Sequence, residues 1–125
     1  MLTRCKATTM LPVTDVDRAR DFYEKKLGLK PKQTLASGEV MYETDGSTVT
    51  IYPRPTPPKA DHTELSFEVK DIEAEMEDLR KRGVKFEEYD LPGLKTENGL
   101  CRLQSEKAAW MRDPDGNILC IHQRS

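Results

Sequence analysis

Residues 13–31, VTDVDRARDFYEKKLGLKP, decide the fold. Val16, Ala19, Phe22, Tyr23 and Leu27 recur at helical spacing and make one apolar stripe. Thr14 or Asp15 is placed to cap the start, and Gly28 to stop the helix at C′. Further along, residues 69–86, VKDIEAEMEDLRKRGVKF, repeat the plan. Ile72, Met76 and Leu79 form the second stripe, Asp71 caps it and Gly83 ends it. Glu73 and Glu75 lie early while Arg80, Lys81 and Arg82 lie late, which complements the helix dipole. Val13 corresponds to Val69, Asp15 to Asp71 and Gly28 to Gly83. The chain is therefore an internal repeat at about half its length, too long a period for a solenoid unit.

Strands fill the space around the two helices. Residues 5–13 alternate before the first helix. VMYET (40–44) and STVTIYP (47–53) flank Asp45-Gly46, a two-residue hairpin turn. TELSFEV (63–69) alternates Leu65, Phe67 and Val69 against Glu64, Ser66 and Glu68. VKFEEY (84–89), KAAWMR (107–112) and NILCIHQ (117–123) follow, the last two joined by the Asp113–Gly116 turn. The order is βαβββ twice. The expected modules are 1–56 and 57–125, joined through PRPTPPKAD (53–61), whose prolines stiffen an extended connector.

Composition excludes several classes. The 125 residues suffice for one core-bearing domain of two repeats. A net charge of −2 gives no field for nucleic acid or an anionic membrane. No apolar run approaches the roughly 20 residues of a membrane helix. The N-terminal MLTRCKATTMLPV has no apolar stretch of signal-peptide type, so a cytoplasmic location is expected. Cys5, Cys101 and Cys120 are odd in number and lack a CxxC spacing, so they are read as free thiols.

LPVTDVDRARDFYEKKLGLKP (11–31), FEVKDIEAEMEDLRKRGV (67–84) and WMRDPDGNILCIHQ (110–123), in this order, resemble the vicinal oxygen chelate superfamily. It includes glyoxalase I, extradiol dioxygenases, fosfomycin-resistance enzymes and bleomycin-resistance binding proteins. The resemblance implies an α+β fold: two βαβββ modules forming a curved mixed sheet around a central cup, helices outside. Relatives with two modules commonly pair, so a homodimer is expected. On each strand the apolar set should then face the helix: Leu11 and Val13, Val49 and Ile51, Leu65 and Phe67, Leu119 and Ile121. The alternate set should face the cup. It comprises Lys6, Thr8 and Met10; Thr48, Thr50 and Tyr52; Glu64, Ser66 and Glu68; and Ile118, Cys120 and His122.

Metal-dependent members take His and Glu ligands from the first and last strands of each module. Carried across, those positions are Thr8, Thr50, Glu64 and Cys120. A zinc, nickel or iron site needs several His, Cys or carboxylate donors. Two threonines are poor substitutes, and neighbouring cup-facing residues on one strand, such as Cys120 and His122, stand about 6.5–7 Å apart. The expectation is a site with no metal and no other cofactor. A small organic molecule would rest on Lys6, Thr8, Met10, Thr50, Tyr52, Ser66, Trp110, Ile118 and Cys120, a mixed polar and apolar lining.

Two functions fit this lining. One is a small-molecule-binding protein of the glyoxalase/bleomycin-resistance type. The other is a lyase, isomerase or dioxygenase of the same superfamily, with Glu64 or His122 as acid or base. His62 is expected at an exposed rim. Cys120 reads as an inert wall residue rather than a nucleophile paired with His122. Residues 90–107 read either as a hairpin or crossing strand, or as a lid pivoting on Gly93 and Gly99, with Leu94, Leu100 and Leu103 beneath.

Overall fold

Asp15 and Asp71 start the two helices. Each has extended backbone, and its carboxylate accepts the N–H three residues on: Arg18 N at 3.1 Å and Ala74 N at 3.2 Å. The computed structural model describes residues 1–59 and 61–124. The chain divides into two compact units, Met1–Pro58 and Lys59–Ser125. Ala60, in the proline-rich connector, lies outside the described residues.

In the first unit, α1 (Val16–Arg20) runs into a π-helical segment, Asp21–Lys26. The periodicity predicted one uninterrupted α-helix. Phe22 and Tyr23, adjacent in sequence, are instead both buried, with rings edge-to-face at 5.1 Å. The wider π turn, closed by Leu27 N donating to Phe22 O at 3.0 Å, lets both aromatics point at the core. The sheet comprises β1 (Thr9–Val13), β2 (Lys30–Thr34), β3 (Val40–Thr44) and β4 (Ser47–Pro53), in the order β1-β4-β3-β2. β1 and β4 are parallel and the other pairs antiparallel. Leu11, Val13, Val40, Tyr42, Val49 and Ile51 are buried on the helix side. The first strand is shorter than expected: it begins at Thr9, and Leu2–Arg4 make a 3-10 turn.

Tyr42 carries a polar contact into that core. Its hydroxyl donates to Glu24 Oε2 at 2.8 Å, and Arg20 Nε reaches the same oxygen at 2.7 Å. Burial pushes the Glu24 carboxyl up, but the Arg20 and Tyr42 hydrogen bonds outweigh it and hold it below the usual carboxylate range. Burial and Glu24 together push the Tyr42 phenol up. Tyr42→Phe should cost about 1.5–3 kcal/mol at neutral pH, the value of a hydrogen bond to a charged group. Because the folded carboxyl titrates below its unfolded value, that contribution is complete above about pH 4.3 and fades as pH falls through the folded pKa. Urea denaturation of both proteins at neutral and acidic pH checks this. An equal gap at both pH values would contradict the Glu24 contact as its source.

In the second unit, α2 (Ile72–Lys81) buries Ile72, Met76 and Leu79, the predicted stripe. Six strands follow the order β5-β10-β9-β8-β7-β6. They are β5 (Thr63–Glu68), β6 (Asp90–Leu91), β7 (Leu94–Glu97), β8 (Leu100–Arg102), β9 (Glu106–Arg112) and β10 (Ile118–Arg124). β5 and β10 are parallel, and β10 is antiparallel to β9. Gln123 Oε1 accepts the Ile72 N–H at 2.8 Å, tying the first turn of α2 to β10.

Two expectations for this unit are corrected. VKFEEY (84–89) forms no strand; only Phe86 bridges to Met111, and Glu87 N donates to Trp110 O at 2.8 Å. β8 pairs with β9 at Lys107 and Ala108, so the segment 84–89 meets β9 only at Trp110 and Met111. Residues 90–107 take the hairpin alternative and not the lid, building β6, β7 and β8. Pro92-Gly93 turns between Leu91 and Leu94, and Asn98-Gly99 turns between Glu97 and Leu100. Gly93 and Gly99 are thus turn residues rather than pivots. Leu100 is buried, Leu94 half-buried and Leu103 exposed, so they form no common underside. No helix among the described residues is long and apolar enough to cross a membrane.

Candidate functional site

Strand alternation separates two faces in each unit. In the first unit, Met10, Thr50 and Met41 are register partners on the face away from α1. Thr8 Oγ1 and Thr50 Oγ1 hydrogen-bond to each other at 3.0 Å, and Thr48 Oγ1 donates to Ala7 O at 3.2 Å. Thr8 therefore joins this face although it precedes β1. Met10 is 44% exposed, Thr50 is buried and Tyr52 is half-buried. Lys6 lies beside the β3–β4 turn, in a cleft of about 800 Å³ that Lys32 and Glu43 also line. Lys32 Nζ pairs with Glu43 Oε2 at 2.8 Å.

In the second unit, the face away from α2 brings together Ser66, Cys120 and Trp110, which are register partners across β5, β10 and β9. His122 and Glu68 pair in the same way one step on. Ser66 Oγ and His122 Nδ1 are 2.6 Å apart. His122 Nε2 stands 3.7 Å from Glu68 Oε1. The imidazole side chain is only 15% exposed, whereas Ser66 is exposed. Cys120 donates its thiol hydrogen to Ile121 O at 3.4 Å. Burial pushes that thiol up, and the Ser66 hydroxyl offsets part of the shift. The imidazole thus engages serine, not cysteine.

Glu64 is half-buried, and its Oε1 stands 3.8 Å from His62 Nε2, while His62 is exposed beside Asp61. Ile118 and Cys120 are as buried as Leu119 and Ile121, so β10 does not divide into a dry and a wet face. Leu65 and Phe67 are only half-buried because β5 is the edge of its sheet. Trp110 is half-buried; its indole N–H donates to Thr63 Oγ1 at 3.1 Å and its ring meets Tyr89 edge-on at 5.6 Å. Tyr89, Thr63 and Met41 were not anticipated here. The parity of TELSFEV assigned Thr63 to the other face, but a register shift between Ile118 and Leu119 pairs Ile118 with Thr63.

The chain belongs to the Glyoxalase/Bleomycin resistance protein/Dioxygenase superfamily, whose family model matches residues 7–121. Solved structures share the fold across almost the whole chain. A glyoxalase/bleomycin resistance protein/dioxygenase from Alicyclobacillus acidocaldarius is 19% identical, with a TM-score of 0.73, covering 97% of this chain and 92% of that one. TnmS3, an antibiotic binding protein from Streptomyces sp. CB03234, is 23% identical, with a TM-score of 0.71, covering 100% and 99%. FosX, the fosfomycin resistance protein of Listeria monocytogenes, is 15% identical, with a TM-score of 0.73, covering 95% and 92%. Among curated proteins, none matches the sequence.

Proposed function

We propose that this protein binds a small, partly apolar organic molecule and does so without a tightly held metal ion. The observation that carries the second half is the Thr8–Thr50 hydroxyl pair, 3.0 Å apart. These are two of the four positions where metal-dependent relatives hold ligands. Neutral hydroxyls that satisfy each other are weak donors for a transition ion. A third position holds Cys120, whose buried thiol donates to Ile121 O at 3.4 Å rather than standing among other donors. Among the described residues, no three His, Cys, Asp or Glu side chains form a group that could hold a metal ion. The donor set does not fit the metal.

The first half is supported in the first unit by exposed Met10 and half-buried Tyr52, and separately in the second unit by half-buried Trp110, soft and aromatic surfaces of the kind that planar ligands rest on. In the second unit, Ser66 and His122 add polar anchors beside Trp110. TnmS3 is named as antibiotic binding, and the same use is proposed here.

Thermal unfolding with a panel of aromatic and antibiotic compounds, each run with and without excess EDTA, tests both halves. A binder present at about 100 times its Kd should stabilise the fold by about 2.7 kcal/mol, with or without chelator. Stabilisation that vanishes in EDTA and returns with zinc or nickel would overturn the metal-free reading. A panel with no stabilising compound would count against small-molecule binding.

A further inference from the structure

We propose that Ser66 is an acyl-accepting nucleophile, with His122 as its general base and Glu68 as the carboxylate that orients the imidazole. It rests on the small-molecule reading above only in taking the ligand face of the second unit as the place where substrate arrives.

The geometry has the parts that such a reaction needs. Ser66 Oγ is within 2.6 Å of His122 Nδ1, inside the range for a nucleophile and its base. The hydroxyl is exposed, so an electrophile can reach it. The other ring nitrogen, Nε2, is out of reach of solvent and has no hydrogen-bond partner among the described residues. The nearest carboxylate oxygen to it, Glu68 Oε1, is 3.7 Å away and is shared with Arg124 Nε at 3.8 Å. That carboxylate is 66% exposed and beyond hydrogen-bond distance, so it biases the ring by charge alone toward the tautomer with its proton on Nε2. That leaves the Nδ1 lone pair for the Ser66 hydroxyl hydrogen. The logic is that of a serine–histidine–carboxylate triad with the two ring nitrogens exchanged. Cys120, the register partner of Ser66, is buried and hydrogen-bonded to Ile121 O, which removes it as a competing nucleophile.

The substrate class is an activated ester. Ser66 Oγ attacks the acyl carbon while its proton moves to Nδ1. The tetrahedral adduct collapses, the bond from the acyl carbon to the leaving oxygen breaks, and the imidazolium returns the proton to that oxygen. The products are acyl-Ser66 and an alcohol. Water, deprotonated by the same nitrogen, then cleaves the acyl ester and frees a carboxylic acid and Ser66. No oxidant or reductant is consumed.

The probe is p-nitrophenyl acetate. The wild-type chain should release a burst of p-nitrophenolate and gain the mass of one acetyl group, placed by peptide mapping on Ser66. Ser66→Ala should abolish the burst, and His122→Gln should slow acylation by about 10²–10⁴-fold. An unmodified Ser66 in the wild-type chain overturns the proposal, whether or not Cys120 or surface lysines are acetylated. So does His122→Gln acylating at the wild-type rate. Mapping the wild-type adduct needs no variant to fold. Failure of acylation with compound-induced stabilisation intact sinks this proposal alone; acylation at Ser66 with no compound stabilising the fold sinks the binding reading alone.

Discussion

Gly99→Ala should lower the unfolding free energy by about 3 kcal/mol, the sum of a backbone and a packing cost. Asn98 and Gly99 hold φ of 52° and 81°, the left-handed pair that a type I′ turn between β7 and β8 requires. A side chain at Gly99 adds about 1–2 kcal/mol of backbone strain. It also meets matter: an ideal Cβ lies 2.8 Å from Phe86 Cβ, 3.2 Å from Arg80 Nη2 and 3.3 Å from Met76 Cε. Those neighbours are themselves tethered. The Arg80 guanidinium lies over the Phe86 ring and donates to Asn98 O, while Glu88 Oε1 accepts from both Gly99 N and Thr96 Oγ1. Gly93→Ala is the control, because Gly93 has φ of 78° but open space around its Cβ. It should cost only the backbone part, about 1 kcal/mol. Urea midpoints of the two variants decide the matter; equal losses would mean that the Gly99 contacts yield freely.

Asp113→Ala should be at least as damaging, at about 4 kcal/mol. Its Oδ1 accepts from Asp115 N at 2.9 Å and Asn117 N at 2.8 Å, and its Oδ2 accepts from Asn117 Nδ2 at 2.8 Å. Asp113 and Asn117 are both buried, Asn117 fully. Hydrogen bonds to a charged group are worth about 1.5–3 kcal/mol each, and losing the acceptor strands buried donors. Asp113→Asn keeps one oxygen for the two backbone N–H groups, so it should recover about half of the loss. A denaturation curve for Asp113→Ala within 1 kcal/mol of wild type would show that water reaches the turn and replaces the carboxylate.

The helices and the hairpin of the first unit are legible in the sequence because their determinants are local. Asp15 and Asp71 cap where their positions say, and VMYET and STVTIYP are strands at the stated bounds. The π segment is less legible: only the adjacent pair Phe22-Tyr23 hints that one stripe must serve two neighbouring rings. Residues 84–107 fail for a different reason. VKFEEY has strand propensity, but β9 is shared between β8 at Lys107–Ala108 and Phe86–Glu87 at Trp110–Met111, and propensity is silent on how segments divide one partner. Asn98-Gly99 is a strong local hairpin signal that the lid reading passes over. The Asp113–Gly116 turn is visible as a turn, yet the depth of Asp113 is not, since a buried carboxylate runs against composition rules. At the candidate site, parity places Ser66, Cys120 and His122 on one face. That His122 engages Ser66 rather than Cys120 depends on the parallel register of β5 and β10, which is tertiary information.

That parallel pairing has a kinetic consequence. In each unit the outermost strand of the sheet is laid against the unit's last strand, so the contacts that define the faces join distant residues. Thr8 and Thr50 are 42 positions apart, and Ser66 and His122 are 56. Such closures lose chain entropy before any contact repays it, and proteins rich in them fold slowly. During synthesis β1 needs only β4 to be made before it can pair, while Ser66 cannot meet its imidazole until β10 has emerged.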